Sequence, residues 1–146
     1  LKDNRGGWRD VMIFRVVSTK SEIPKLNQNE KMVHLAFRPS NIDYLNLLKA
    51  CPRLRAIQIS STYWKNMASA TKLFLSMQGV DIIEGDVWGH RKDLDEYFVV
   101  EETTQDEIKS LASTGMDAEE ISVQIQEKAR ISPGLIRYIT GEKADS

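Results

Sequence analysis

The sequence predicts an α/β fold: a compact four-stranded, mostly parallel sheet with crossover helices, followed by a C-terminal three-helix, helix-turn-helix-like appendage. Short runs rich in β-branched residues start near residues 13, 33, 56 and 80. Helix-sized segments separate these runs, and this alternation is typical of βαβ units with right-handed crossovers. After residue 100 no further strand pattern follows, and apolar residues recur at helical spacing instead.

The elements of the first hundred residues follow in order. Pro39 ends the second strand because proline has no N–H for a central ladder. Pro52 ends the first helix because it disfavours helical geometry at the residue before it. Residues 45–59 also resemble a leucine-rich repeat, but the flanking units lack its leucines, so we favour the compact sheet. The predicted strands cover residues 12–17, 31–37, 55–60 and 80–83, and the predicted helices cover 41–50, 62–77 and 92–98.

Three short helices are predicted after residue 100. The first covers residues 106–113 and ends before Gly115. An Asp117 capping box begins the second helix. A Ser132-Pro133 pair begins the third, and Gly141 ends it. This arrangement resembles a helix-turn-helix unit, so a transcriptional regulator with an α/β sensor domain is one functional alternative.

The charge distribution weighs against nucleic acid as the main partner. Residues 101–146 hold ten acidic and five basic residues, a net charge of −5, while residues 1–100 have a net charge of +4. DNA-binding surfaces are positively charged because phosphate neutralisation supplies most of the non-specific affinity. We therefore expect the C-terminal helices to bind a protein partner or a second copy of the chain. Nucleic acid remains the alternative, read by Arg137 and Tyr138 of the third helix.

Composition narrows the setting of the protein. The single cysteine, Cys51, excludes an internal disulfide and fits a reducing compartment, and its position before a proline indicates a packing role. No apolar stretch approaches the roughly 20 residues that span a bilayer. We expect a cytoplasmic protein without a membrane segment. The predicted organisation is a flexible N-terminal extension over residues 1–11, an α/β domain over 12–100 and the helical appendage over 101–146.

A binding site is predicted at the carboxyl edge of the sheet. In open parallel sheets ligands bind beyond the carboxyl ends of the strands, where helix N-termini favour anions. Hydroxyl and cationic side chains follow several predicted strands, so we expect a small anion or a protein partner there. The candidate binding residues are Arg38, Ser40, Ser60, Ser61, Asp86, Trp88, His90 and Arg91.

The segment 84–91 concentrates the chemistry of this candidate site. An enzyme using His90 as proton carrier with Asp86 is a further alternative. One histidine and one nearby carboxylate make a poor metal site, and His34 is predicted to lie in mid-strand, so we expect no metal and no cofactor. Ser60 and Ser61 lack the sequence of a nucleophile elbow. No catalytic residue is therefore assigned, and a non-enzymatic binding or regulatory protein is the preferred interpretation.

Three motif-bearing stretches resemble one known family. They are VVSTKSEIPKLNQNEKMVHLAFRPSNIDYL, KACPRLRAIQIS and MQGVDIIEGDVWGHRKDLDEYF. The chain resembles a family of small uncharacterised proteins of methanogenic archaea, a domain of unknown function, over about residues 12–140. The resemblance implies an archaeal cytoplasm and carries over no catalytic residues. Residues 1–11 lie outside it, which favours Met12 as the ancestral start.

Overall fold

The computed structural model describes residues 11–85 and 97–141 and contains one five-stranded sheet. The predicted N-terminal extension lies outside these residues apart from Val11. The strands are β1 (Met12–Val17), β2 (Met32–Leu35), β3 (Ala56–Ile59), β4 (Asp81–Glu84) and β5 (Tyr97–Val100). The helices are α1 (Asn41–Ala50), α2 (Ser61–Asn66), α3 (Ser69–Met77), α4 (Glu102–Ser113), α5 (Ala118–Ile125) and α6 (Pro133–Thr140), with a 3₁₀ helix over Lys20–Lys25.

The predicted α/β fold with a mostly parallel sheet is confirmed. The strand order is β4-β3-β2-β1-β5, and the first four strands are parallel neighbours in sequence order. The β1–β2 register pairs Val16 with His34, and the β2–β3 register pairs His34 with Gln58. The carboxyl ends of β1 to β4 therefore lie along one edge of the sheet.

The fifth strand corrects the sequence prediction. A short helix was expected over residues 92–98, but Tyr97–Val100 is a strand that pairs antiparallel with β1, and residues 92–96 lie outside the described part of the chain. The sequence Tyr-Phe-Val-Val favours a strand because aromatic and β-branched side chains fit a pleated, half-buried surface. The Tyr97 hydroxyl also donates a hydrogen bond of 2.5 Å to the Glu30 carboxylate, which fixes this edge beside the loop before β2.

The helix predicted over residues 62–77 is in fact two helices. The backbone is extended at Met67 and Ala68, with ψ angles of 135° and 143°, between the end of α2 and the start of α3. Periodicity alone does not reveal this break, since no proline or glycine marks it. Burial of Met67 in the core accompanies the change of direction. Gly79, with φ of +79°, follows the end of α3 in the left-handed conformation that glycine favours.

Two apolar cores cover opposite faces of the sheet. Right-handed crossovers between consecutive parallel strands all fall on the same face. The core on that face joins Val33 and Ile57 of the strands with Leu47 of α1 and Leu75 of α3. The opposite face is covered by α4, α5 and α6, whose core residues include Ile108, Ile121 and Leu135. The C-terminal helices thus bury the sheet face that the crossovers leave uncovered.

Among the described helices, none combines the length and the apolar character that a membrane crossing requires.

Candidate binding site

The predicted site residues that the structure describes follow two neighbouring strands. Arg38 and Ser40 lie between β2 and α1, and Ser60 and Ser61 lie between β3 and α2. Because β2 and β3 are parallel neighbours, both pairs lie at the carboxyl edge of the sheet. Arg38 and Ser61 are exposed, and Ser60 is half-buried.

Ser40 and Ser60 already form hydrogen bonds at the starts of α1 and α2. Ser40 precedes the first turn of α1, and its N–H donates to the Asp43 carboxylate over 2.8 Å. The Ser60 hydroxyl accepts a hydrogen bond of 3.4 Å from the Tyr63 N–H and caps α2. Both serines therefore support the helices that begin at this edge. Arg38 is the described member of the set whose charge faces solvent.

The other predicted members, Asp86, Trp88, His90 and Arg91, lie outside the described residues. The enzymatic alternative with His90 and Asp86 lies there as well. Within residues 11–85 and 97–141, no group of three or more His, Cys, Asp or Glu side chains is placed to hold a metal ion.

A buried polar pair lies on the strands just before this edge. His34 of β2 and Gln58 of β3 are 1% and 0% exposed and face the core under the C-terminal helices. The His34 Nδ1–H donates to Gln58 Oε1 over 3.1 Å. This hydrogen bond links β2 to β3. It gives both buried side chains a polar partner, as buried polar groups normally have.

The start of α6 packs directly on the end of β4. The Ser132 hydroxyl donates to the carbonyl oxygen of Glu84 over 3.1 Å and accepts from the Leu135 N–H over 3.1 Å. A Cβ atom added to Gly134 would lie 2.1 Å from the Glu84 oxygen. One added to Gly85 would lie 2.0 Å from the Ser132 hydroxyl. The absence of a side chain at both glycines is what allows this close approach.

The remainder of α6 runs back along β4 towards its amino end. Leu135 and Ile136 are buried in the second core. Burial raises the pKa of Tyr138, and Asp81 at the start of β4 raises it further. Arg137 forms an ion pair with Glu119 of α5. The two residues predicted to contact nucleic acid are thus a half-buried phenol and a paired cation.

Sequence reasoning missed the residues that join α6 to the sheet. In the sequence-based prediction, Ser132 has only a capping role, Gly85 appears only within the segment 84–91 and Gly134 has no assigned role. A Ser-Pro-Gly sequence at a helix start is a usable signal, since a glycine in the first turn costs helix stability unless its lack of a side chain is needed. Gly85 lies 49 residues upstream of Gly134, and nothing in its local sequence points to this contact.

Cys51 has the packing role that its position indicated. It is fully buried at the end of α1, and burial raises the pKa of its thiol to about 11. The thiolate, which is the reactive form of cysteine, is therefore suppressed at neutral pH.

A surface cavity of about 410 Å³ lies beside β5. Its lining residue Val100 pairs with Met12 at the start of β1, so this end of the cavity lies towards the amino ends of the parallel strands and not at their carboxyl edge. Its lining mixes apolar and charged side chains from β5, the start of α4 and the connection between α5 and α6. These include Phe98, Val100, Glu101, Lys128, Arg130 and Ile131.

The fold and the packing of α6 on β4 define the class of protein. It is an α/β protein with a mostly parallel sheet and a helix-turn-helix-like C-terminal segment packed on that sheet. Two family models match the chain. The family of unknown function (DUF1699) N-terminal domain matches residues 13–96, and the protein of unknown function (DUF1699) C-terminal HTH domain matches residues 103–141. The chain belongs to the DUF1699 family. The expectation of a domain-of-unknown-function family is confirmed.

Searches of curated proteins and of solved structures each returned no match.

Proposed function

We propose that this is a non-enzymatic binding or regulatory protein that recognises a small anion at the carboxyl edge of its sheet. Arg38 supplies the positive charge, and the first turn of α1 supplies N–H groups beside it. A protein partner that presents an anionic group is recognised by the same chemistry. The C-terminal helices respond to binding, because α6 begins at this edge.

The contact between Ser132 and Glu84 is the observation that carries this proposal. It connects the helical segment to the end of β4, two strands from the exit of β2. The glycines at both sides make the contact sensitive to small displacements, since neither backbone has room to move closer. A ligand that displaces the carboxyl ends of the strands therefore changes how α6 packs on β4.

Titration of the full chain with inorganic phosphate and with sulfate tests the anion site. We expect each anion to raise the melting temperature of the wild type, because a ligand that binds only the folded state stabilises it. Arg38→Ala is expected to abolish this shift. Arg53→Ala, an exposed arginine between α1 and β3 at the opposite edge, is the matched control and keeps it. Equal responses in both variants, or no response in the wild type, would remove the anion site.

A DNA-binding regulator is the second candidate, and the HTH description of the matching C-terminal family model favours it. In this case α6 must first leave β4, since Leu135 and Ile136 are buried and Arg137 is paired with Glu119. The acidic surface of the helices opposes phosphate contact, so we place this function second.

Gel shifts with duplex DNA at low and moderate salt test the second candidate on the full chain. Gly134→Ala inserts a methyl group against the Glu84 carbonyl and is expected to loosen α6. A regulator gains salt-dependent DNA binding in Gly134→Ala and loses it again when Arg137→Ala is added. The absence of a shift at low salt in the wild type and in Gly134→Ala excludes DNA readout by α6.

The setting proposed for both functions is an archaeal cytoplasm. The single buried thiol supports a reducing compartment. The family resemblance supports a methanogen. Partner contacts through the C-terminal helices, with a protein or with a second copy of the chain, belong to the same proposal. Size measurement by light scattering across protein concentration tests self-association.

A further inference from the structure

The outer face of the crossover helices carries a pair of apolar stripes. Ile42 and Leu45 of α1 are 55% and 39% exposed, and Leu73 and Met77 of α3 are 62% and 74% exposed. Residues three or four apart lie on one side of a helix. Leu47 and Leu75, on the opposite sides of the same helices, are buried in the core. The stripes therefore point away from the sheet.

The two stripes belong to neighbouring helices of one layer. Both helices connect consecutive parallel strands, so they cross the same sheet face in the same direction. The Thr71 hydroxyl of α3 donates to the Asn41 side-chain oxygen of α1 over 2.8 Å. Clustered exposed apolar side chains of this kind mark interaction sites more often than isolated ones do.

The stretch of chain that carries these stripes is rich in cations. Residues 31–80 contain seven lysines and arginines but a single carboxylate, Asp43. Asp43 is 5% exposed and accepts the Ser40 N–H at the start of α1. Lys49 and Lys65 are exposed, and the Lys72 ammonium lies 3.7 Å from the centre of the Trp64 ring. Lys49 follows Leu45 by four residues and Ile42 by seven, so it lies on the same side of α1 as that stripe. This stretch of the chain has no exposed carboxylate.

We propose that the outer face of α1 and α3 binds an amphipathic helix of a partner protein, with leucine-type side chains on the stripes and carboxylates against Lys49 and the other lysines of this helical layer. Helix docking on an apolar groove is a common recognition mode, and charge complementarity selects its partner. This surface lies on the crossover layer, away from α4 to α6. Ile42 adjoins the first turn of α1, but the proposal does not use Arg38 or the anion site.

The same charges argue against a second copy of the chain. A second copy related by a two-fold axis would bring the lysines of both faces together, and like charges across an interface are unfavourable. Lipid-binding helices also combine leucine with lysine, so a lipid surface is the occupant that the vesicle comparison below separates from an acidic helix.

Fluorescence anisotropy with designed peptides tests the proposal on the full chain. The first probe is a labelled helical peptide with leucine at i, i+3, i+4 and i+7 and glutamate beside them. The second has the same leucines with lysine in place of glutamate. We expect the acidic probe to bind with a dissociation constant below about 1 mM, and the basic probe to bind at least about tenfold more weakly.

Surface variants locate the binding. Leu73→Asp with Met77→Asp is expected to weaken the acidic probe about tenfold or more, because it places carboxylates in the apolar stripe. Lys49→Glu with Lys65→Glu is expected to reverse the preference between the two probes. Val123→Asp, at a 66% exposed residue of α5, is the matched control and leaves binding unchanged. All these side chains are exposed, and circular dichroism verifies that each variant folds.

Four outcomes overturn the proposal. They are no binding of the acidic probe at about 1 mM, equal binding of both probes, loss of binding in Val123→Asp equal to that in the α3 variant, and a wild-type dimer that the α3 variant dissociates. Sedimentation with phosphatidylserine vesicles provides the lipid comparison. Vesicle binding without binding of the acidic probe assigns the face to a membrane surface instead.

Discussion

At the scale of single residues, glycine and serine decide how the C-terminal helices meet the sheet. Gly85 and Gly134 leave space that a methyl group would fill, and Ser132 uses this proximity to reach the Glu84 carbonyl. The parts of this contact are backbone atoms and one short side chain, so an added methyl group has little room here.

Substitutions on both sides of the contact between Gly85 and Ser132 test this close packing directly. Gly85→Ala is expected to lower the free energy of unfolding by about 1–3 kcal/mol, since the new Cβ would overlap the Ser132 hydroxyl. In a Ser132→Gly background the same change is expected to cost less, because the obstructing side chain is gone. Urea denaturation of the four proteins measures the coupling. Additive effects would contradict the close packing.

Because the Cys51 thiol is buried, we expect the free energy of unfolding to fall at alkaline pH. Its thiol pKa is about 11 in the folded protein against 9.0 for an unperturbed thiol. As the pH rises, the thiol therefore loses its proton in the unfolded chain before it does so in the folded protein. The stability that the protonated, buried thiol contributes is lost as the pH rises from 9 to 11. The full effect is about 2–3 kcal/mol.

Urea denaturation across this pH range should show a shallower decline for Cys51→Ala than for the wild type. Tyr44, whose pKa burial also raises, contributes a loss common to both proteins. Parallel pH profiles for the wild type and the variant would show that the buried thiol is not responsible.

At the scale of elements, the sequence predicted types better than ends. Strand β1 and helix α1 have the predicted bounds because β-branched residues, a cap and a proline mark them locally. The break at Met67 and the strand β5 were not predicted, since tertiary packing and pairing with β1 decide them. Of the predicted site, Arg38 and the serines lie at the carboxyl edge, as expected from the strand ends that they follow. The α6 contact depends on residues distant in sequence, which no local pattern connects.

The break between α2 and α3 leaves the N-terminus of α3 without a side-chain cap. Ala68 occupies the N-cap of α3 and has no side-chain acceptor for the first N–H groups. Ala68→Ser is expected to raise the free energy of unfolding by about 0.5–1 kcal/mol. Ala70→Ser, the same exposed change two residues later inside the helix, is expected to lower it by a few tenths. Equal effects in urea denaturation would show that residue 68 is no cap.

At the scale of the whole molecule, one sheet serves two cores. Ile57 of β3 belongs to the core under the crossover helices, and Ile121 of α5 belongs to the core on the opposite face. Because the strands are shared, loss of either core removes half the cover of the same sheet. We therefore expect one cooperative unit rather than two independently folding halves.

Paired truncations test this cooperativity. Ile57→Ala and Ile121→Ala are each expected to cost about 2–5 kcal/mol, as do other fully buried aliphatic truncations. In both variants, amide exchange at Leu47 and Ile108 should report the same lowered free energy of opening. A change confined to one face in each variant would show that the two layers unfold separately.

The path of the C-terminal segment couples the two borders of the sheet. The helix α4 begins where β5 ends beside β1, and α6 finishes its path along β4 at the other border. Any change in sheet twist alters the distance between these borders, and the helices that tether them must move or resist. Stiffness across the width of the sheet thus depends on residues that follow the last strand, so substitutions between residues 101 and 141 can alter strand geometry without touching a strand.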